Sequence, residues 1–248
     1  MTLAARLLSV VMLLAIWIVA AHFSDPRRLP GPEAVIAAME KAASTGELFY
    51  AMGITLARVA AAFTLAMALG SAVGYAMGRR ETFNRLVDPW IVVMLNLPAL
   101  VIIVLLYIWV GLNEVAAISA VALNKLPNAT VTIREGARTL DANLDEMARV
   151  FAFSPLKRFQ HVVLPQLAPY VAAATRSGLS LVWKIVLVVE LLGRPNGVGF
   201  EINVAFQLFD VALLLAYALP FTAIMLMIEA FVLQPFERHV ARWRPRSA

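Results

Sequence analysis

The sequence contains no cysteine, three histidines and few charges. Without cysteine, disulfides and thiolate metal sites are excluded, and the redox compartment leaves no trace. The histidines, His22, His161 and His239, lie far apart and match no metal-ligand spacing. Charged residues make up only 15% of the chain, whereas a water-facing surface needs roughly a quarter or more. No G-x-x-x-x-G-K-[ST] run is present, so the chain brings no phosphate loop of its own. No apolar run keeps the period of two that a membrane barrel requires.

What the chain has is apolar length. Of its 248 residues 61% are hydrophobic, against roughly 45–50% in a soluble domain. Lipid must solvate the excess, so the expected fold is all-α and membrane-embedded, in one domain over 1–248. Its core spans occupy 55–235, and 1–54 holds a first span and an external amphipathic segment.

A bilayer core takes about 20 helical residues, and six segments meet that length: Leu7 to Phe23, Val59 to Met77, Trp90 to Val110, Val115 to Ile133, Tyr170 to Leu192 and Val211 to Leu233. The first also has the look of a signal peptide, with Arg6 before it and the small residues Ala20 and Ala21 near its end. It is longer than the usual core of about 7–15 apolar residues, so a retained span is the preferred reading. Between Ser24 and Arg58 the run Pro32 to Ala43 has helical apolar spacing, and proline suits a first turn. It reads as a helix on the outer surface or as a plain connector.

The net charge of +5 raises the question of nucleic acid. The distribution of that charge argues against it. If six spans alternate, one side receives Arg6, Arg79, Arg80, Arg85, Arg134, Arg138, Arg149, Lys157, Arg158, Arg238, Arg242, Arg244 and Arg246, and the other only Arg27, Arg28, Lys41, Arg58 and Arg194. By the positive-inside rule the first group is cytoplasmic, which puts both termini there.

Between the fourth and fifth spans lies a long charged connector with helical apolar spacing at Leu144, Met147, Ala148 and Phe151. A loop of such length is usually functional. Asn143 with Glu146 suits a capped start, and Asp145 and Glu146 suit the helix dipole. Ser154 and Pro155 break this helix, and Lys157 to Val163 forms a second, ending near Leu164 and Pro165. The apolar face of the first helix packs either on its own bundle or on a partner protein.

The run Glu146, Met147, Ala148, then Ala152, then Val162, Leu164 and Pro165 resembles the EAA loop of ABC importer permeases, with Met147 for an alanine, Ala152 for the usual glycine and Val162 for an isoleucine. Leu29 to Pro32, Thr55 to Arg58, Asp88 with Pro89, and Glu190 with Gly197, Val198 and Gly199 resemble the nitrate, sulfonate and taurine subgroup. The resemblance implies a type I importer permease fold with a cytoplasmic coupling helix in a bacterial inner membrane. It implies two permease copies, two cytoplasmic ATP-binding subunits and an external substrate-binding protein, and no enzyme activity in this chain. ATP and magnesium would belong to the partner ATPase, with no cofactor here. The ATPase-coupling residues it implies are Leu144, Asp145, Glu146, Met147, Ala148, Phe151, Ala152, Phe153, Leu164 and Pro165.

Charges within spans are rare because each costs roughly 2.5–3.5 kcal/mol at mid-bilayer on insertion scales. Lys125, Lys184 and Glu190 are candidates for the translocation path of an anionic solute, or for pairs that hold helices together; Arg176 is close enough to an end to snorkel. Lys184 and Glu190 point about 120° apart on one helix, so they do not pair with each other within it. Gly70, Gly74 and Gly78 form a flat packing face, and Pro98 and Pro127 are expected to kink the third and fourth spans. Glu229 and Gln234 reach the cytoplasmic interface, and Gly193, Gly197 and Gly199 lie in a surface loop. Asn128 to Thr130 is a glycosylation acceptor only in letters, since it falls inside a span. The rival functions are an ion-gradient-driven transporter, which should show paired interrupted repeats, and an intramembrane enzyme, which needs convergent acid, base and nucleophile. Neither pattern is found.

Overall fold

The computed structural model of the chain describes residues 3–236, and among these every regular element is helical. The elements are α1 (Leu3–His22), α2 (Pro32–Ser44), α3 (Glu47–Arg79), α4 (Glu81–Asn96), α5 (Ala99–Val110), α6 (Glu114–Arg138), α7 (Ala142–Val150), α8 (Pro155–Arg158), α9 (Leu164–Gly193), α10 (Val198–Gln207) and α11 (Val211–Ile228). π-Helical turns at Phe159–Val163 and Glu229–Leu233 continue α8 into α9 and extend α11. Arg238, His239, Arg242, Arg244 and Arg246 lie outside the described residues, as do the side chains of Arg6 and Leu7.

Among the described residues three helices are long and apolar enough to cross a bilayer: Glu47–Arg79, Pro155–Gly193 and Val211–Phe236. The pair α4 and α5 meets the same test jointly, but with a 100° bend between them. The expected span Trp90 to Val110, with its kink at Pro98, is therefore two helices. Pro98 explains the break: it lacks an N–H and holds Leu97 extended at φ −74°, ψ 127°. Pro127 has no such effect, and α6 runs through it from Glu114 to Arg138. Pro89, expected to open a span, lies inside α4, which begins at Glu81.

Two other expectations are corrected. With no proline between Glu47 and Arg79, α3 starts well before Val59, and Arg58 is a buried helical residue instead of a loop residue. The stretch after Gly193, read as a surface loop, contains α10, whose Val198 and Ala205 are fully buried.

The chain divides into two compact units. In the unit formed by 56–189 and 225–236, the core gathers Val59, Ala62, Ile103, Tyr107, Ala116, Ala117, Ala120, Val121, Val182, Val186 and Val189. Here α3 lies directly on α6. A Cβ at Gly70 would stand 2.7 Å from that of Ala129, one at Gly78 would stand 2.5 Å from that of Ala137, and one at Gly74 would collide with the Thr130 carbonyl. The glycine row admits α6 backbone where any side chain would hold it off.

In the unit formed by 3–55 and 190–224, Leu48, Ala51 and Met52 are buried on α3, and Ala216, Tyr217 and Phe221 on α11. The Trp17 indole N–H donates to the Pro30 carbonyl at 3.0 Å. Burial first, and Glu47 second, push the Glu201 carboxyl above its ordinary range.

Candidate functional site

The connector between α6 and α9 builds its short helix from strong local signals. The Asp141 side chain accepts the Asn143 N–H at 2.8 Å, which caps α7. The cap is two residues before the expected Asn143, because Asn143 is already inside the helix and Asp141 is the last extended residue. The Asp141 N–H donates to the Gln166 side chain at 2.9 Å, tying the start of α7 to α9.

At the other end the chain closes a Schellman turn: Phe153 N–H reaches the Ala148 carbonyl and Ala152 N–H the Arg149 carbonyl, each at 2.9 Å. Ala152 sits at φ +51°, a left-handed conformation that favours glycine. The alanine therefore keeps the turn and carries the strain itself. Ser154 then accepts the Lys157 N–H at 3.3 Å and starts α8. This second helix does not stop near Leu164 and Pro165 as expected. It passes through the π turn, where Leu164 N–H bonds the Phe159 carbonyl, and continues unbroken from Pro155 to Gly193. The irregular turn accommodates Pro165, which offers no N–H.

The apolar face of α7 is divided. Ala148 is 0% exposed, while Leu144 and Met147 are exposed, Val150 is 82% exposed and Phe151 70%. Glu146 and Ala152 are exposed as well. Phe153 is half-buried, with the Lys157 ammonium 4.4 Å from its ring centre. Leu164 and Pro165 are exposed at the head of α9. Beneath the connector Ala137, Val163 and Leu167 form a small core with Tyr75 and Leu140.

Asp145 faces inward, its side chain 15% exposed. Arg158 grips it with two hydrogen bonds of 2.5 Å, Nε to Oδ1 and Nη2 to Oδ2. Arg149 approaches to 3.3 Å and Arg79 to 3.7 Å. Arg134 pairs with Asp88 and Glu135 nearby in sequence to this end of α6. At the opposite end of α6, Arg58 forms a two-point ion pair with Glu114, at 2.9 and 2.6 Å. Sequence reasoning missed these clusters: only Arg149 with Asp145 and Arg134 with Glu135 are local pairs, and the links of Arg79 to Asp145, Arg134 to Asp88 and Arg58 to Glu114 join residues far apart in sequence, which carry no spacing signal.

The three path candidates differ in their surroundings. Lys125 is 2% exposed on α6; a Cβ at Gly178 would meet its Cε at 2.5 Å and Phe63 at 3.1 Å, so Gly178 makes room for it. Glu190 is 0% exposed and is held by Thr55 and Gly199. Lys184 is exposed on α9, its ammonium 5.5 Å from the Trp183 ring centre. Among the described residues no cluster of His, Asp and Glu is arranged to hold a metal ion.

A family model described as "Binding-protein-dependent transport system inner membrane component" matches residues 62–242. The chain is 30% identical over 237 residues to a putative aliphatic sulfonates transport permease of Escherichia coli, covering 95% of this chain and 90% of that protein. It is 29% identical over 216 residues to the corresponding protein of Bacillus subtilis (87% and 78% covered) and 25% identical over 221 residues to a bicarbonate transport system permease of Synechococcus elongatus (84% and 80%). Among solved structures, a chain of an inward-facing methionine ABC transporter superposes with a TM-score of 0.66 at 17% identity, over 80% of this chain and 98% of that one.

Proposed function

The chain belongs to the family of binding-protein-dependent transport system inner membrane components, and from that premise we propose that it forms the translocation path of an ATP-driven importer for a small anion. It is a membrane permease of the ABC type. The family match over 62–242 carries this reading, and sulfonate and bicarbonate relatives support the choice of an anion.

In this reading α7 is the hook that a cytoplasmic ATP-binding subunit grips. The exposed Leu144, Met147, Val150 and Phe151 supply the apolar contact, with Glu146 beside them, while Ala148 seats the helix on its own chain. The basic residues at this end, Arg79, Arg134, Arg138, Arg149 and Arg158, favour a cytoplasmic position by the positive-inside rule, and the termini with it. Two permease copies, two ATP-binding subunits and an external binding protein complete the assembly, and ATP closure rocks the helices between inward-open and outward-open states.

Lys184 is the strongest candidate for contact with the anion. An exposed ammonium inside a span is costly against lipid, by roughly 2.5–3.5 kcal/mol, and is relieved if it faces a water-filled path. Lys125 and Glu190 are enclosed by their own chain and fit packing roles better.

The test is co-expression with candidate ATP-binding subunits, followed by purification before and after Glu146→Lys. Retention of the ATPase by the unmodified chain alone supports the reading. Retention by neither overturns the ATP-driven reading, and retention by both excludes Glu146 as part of the grip.

A further inference from the structure

We propose that Asp145 is the positioning residue through which movement of α7 reaches the membrane helices, separate from the exposed face on which α7 is gripped. This rests on the reading of the chain as an ATP-driven permease.

The helix α7 has nine residues and buries only Ala148 fully. So small an apolar seat resists sliding and pivoting poorly. What pins the helix is electrostatic. Asp145 and Glu146 are neighbours in sequence, yet Asp145 turns inward and Glu146 outward. On the inner side Arg158 grips Asp145 with a two-point fork at 2.5 Å. Such bidentate charge-assisted pairs are strong and directional. Arg158 belongs to the unbroken helix Pro155–Gly193, so the fork joins α7 rigidly to one membrane helix. Arg79, 3.7 Å from the same carboxylate, is the last residue of α3, a second membrane helix. A single side chain thus connects the hook to two spans, and a displacement of α7 is passed to both together.

Charge balance makes Asp145 indispensable to that link. Three guanidinium groups, on Arg79, Arg149 and Arg158, surround one carboxylate. Neutralising it leaves the half-buried Arg79 and Arg158 facing each other, with the more exposed Arg149 beside them, and these like charges repel. The Asp141 to Gln166 bond does not involve Asp145. It holds α7 to the chain when Asp145 is changed, so the hook stays attached but its link to the spans slackens.

The experiment uses the chain co-purified with its ATP-binding subunits and reconstituted into liposomes with the binding protein, measuring uptake per ATP hydrolysed. Asp145→Asn is expected to keep the ATPase bound and hydrolysing while uptake per ATP falls by about ten-fold, within the range of typical coupling between sites. Asp145→Glu should keep most of the coupling. Arg79→Gln, which cuts only the α3 tie, should lower it partially with the ATPase still bound. Asp145→Asn at the unmodified ratio overturns the proposal, and so does loss of the ATPase by Asp145→Asn together with full coupling in Arg79→Gln. If the unmodified chain binds no ATPase, the permease reading itself fails, a result distinct from either.

Discussion

The Thr55 hydroxyl lies 3.0 and 2.9 Å from the two carboxylate oxygens of Glu190, 135 residues away in sequence, and accepts the Val198 N–H at 2.8 Å. The same carboxylate accepts the Gly199 N–H at 2.8 Å. Glu190 thereby caps α10, whose start needs an acceptor for its unpaired N–H groups. Gly197, at φ +106°, brings its Cα so close that a Cβ would stand 2.5 Å from the carboxylate. The sequence marks Glu190 as a buried charge with a function to find, and the structure gives it a cap to make.

Glu190→Ala should destabilise the protein. It leaves the buried Gly199 N–H without its acceptor, at a cost of about 1–3 kcal/mol for a buried group left unsatisfied, while the Thr55 hydroxyl keeps the Ala51 carbonyl at 3.0 Å as an acceptor. Thermal unfolding of the purified protein in detergent should show the drop, and Glu190→Gln a smaller one because the amide oxygen still accepts.

Ala152→Gly should stabilise the connector. The left-handed conformation costs a non-glycine residue roughly 1–2 kcal/mol, and glycine adopts it freely, although it also raises the entropy of the unfolded chain. The net gain expected is a slower cleavage of the 142–165 segment in limited proteolysis. Faster cleavage would show that the turn does not hold in the φ +51° form.

Gly74→Ala and Gly53→Ala should act in opposite directions. A methyl at Gly74 meets the Thr130 carbonyl and the Arg134 amide nitrogen, backbone atoms that cannot swing aside, whereas nothing stands within 4 Å of a Cβ at Gly53. Overpacking costs about 1–3 kcal/mol, and replacing a mid-helix glycine by alanine gains about 0.5–1 kcal/mol. Paired thermal melts decide the matter, and equal shifts would contradict the close α3 to α6 approach.

Stability should fall as pH rises past the ordinary Glu201 range. Burial, then Glu47, raises the folded carboxyl above its ordinary 4.5, so the folded state holds a proton that the unfolded state has released. The stabilisation is full below the unfolded pKa and is lost as pH rises through the folded one. Glu201→Gln should flatten this part of the stability profile, measured by melts across a pH series. An unchanged profile would mean that another group sets it.

Much of the architecture was legible without coordinates. The apolar runs predict helices at α1, α6, α9 and α11, and Pro32 marks the first residue of α2, because helix length and periodicity are local properties. The EAA-like spacing locates the connector, since Glu146, Ala148 and Leu164 lie within one short stretch. Proline effects were half legible: Pro98 breaks its helix by 100° and Pro127 does not, since neighbours decide whether a missing N–H becomes a bend. The helix α10 escaped notice because Gly197 and Gly199 read as loop residues until Glu190 is seen to cap them.

The sequence by itself determined that this chain is helical, lipid-solvated and built around a charged hook between two spans, for these follow from composition and spacing along the chain. Only the tertiary structure decided which charge on that hook faces inward, that Arg79 and Arg158 share Asp145, and that Glu190 belongs to Thr55 and Gly199. Such pairings join residues up to 135 positions apart. They depend on how helices meet in space, and no local pattern encodes that.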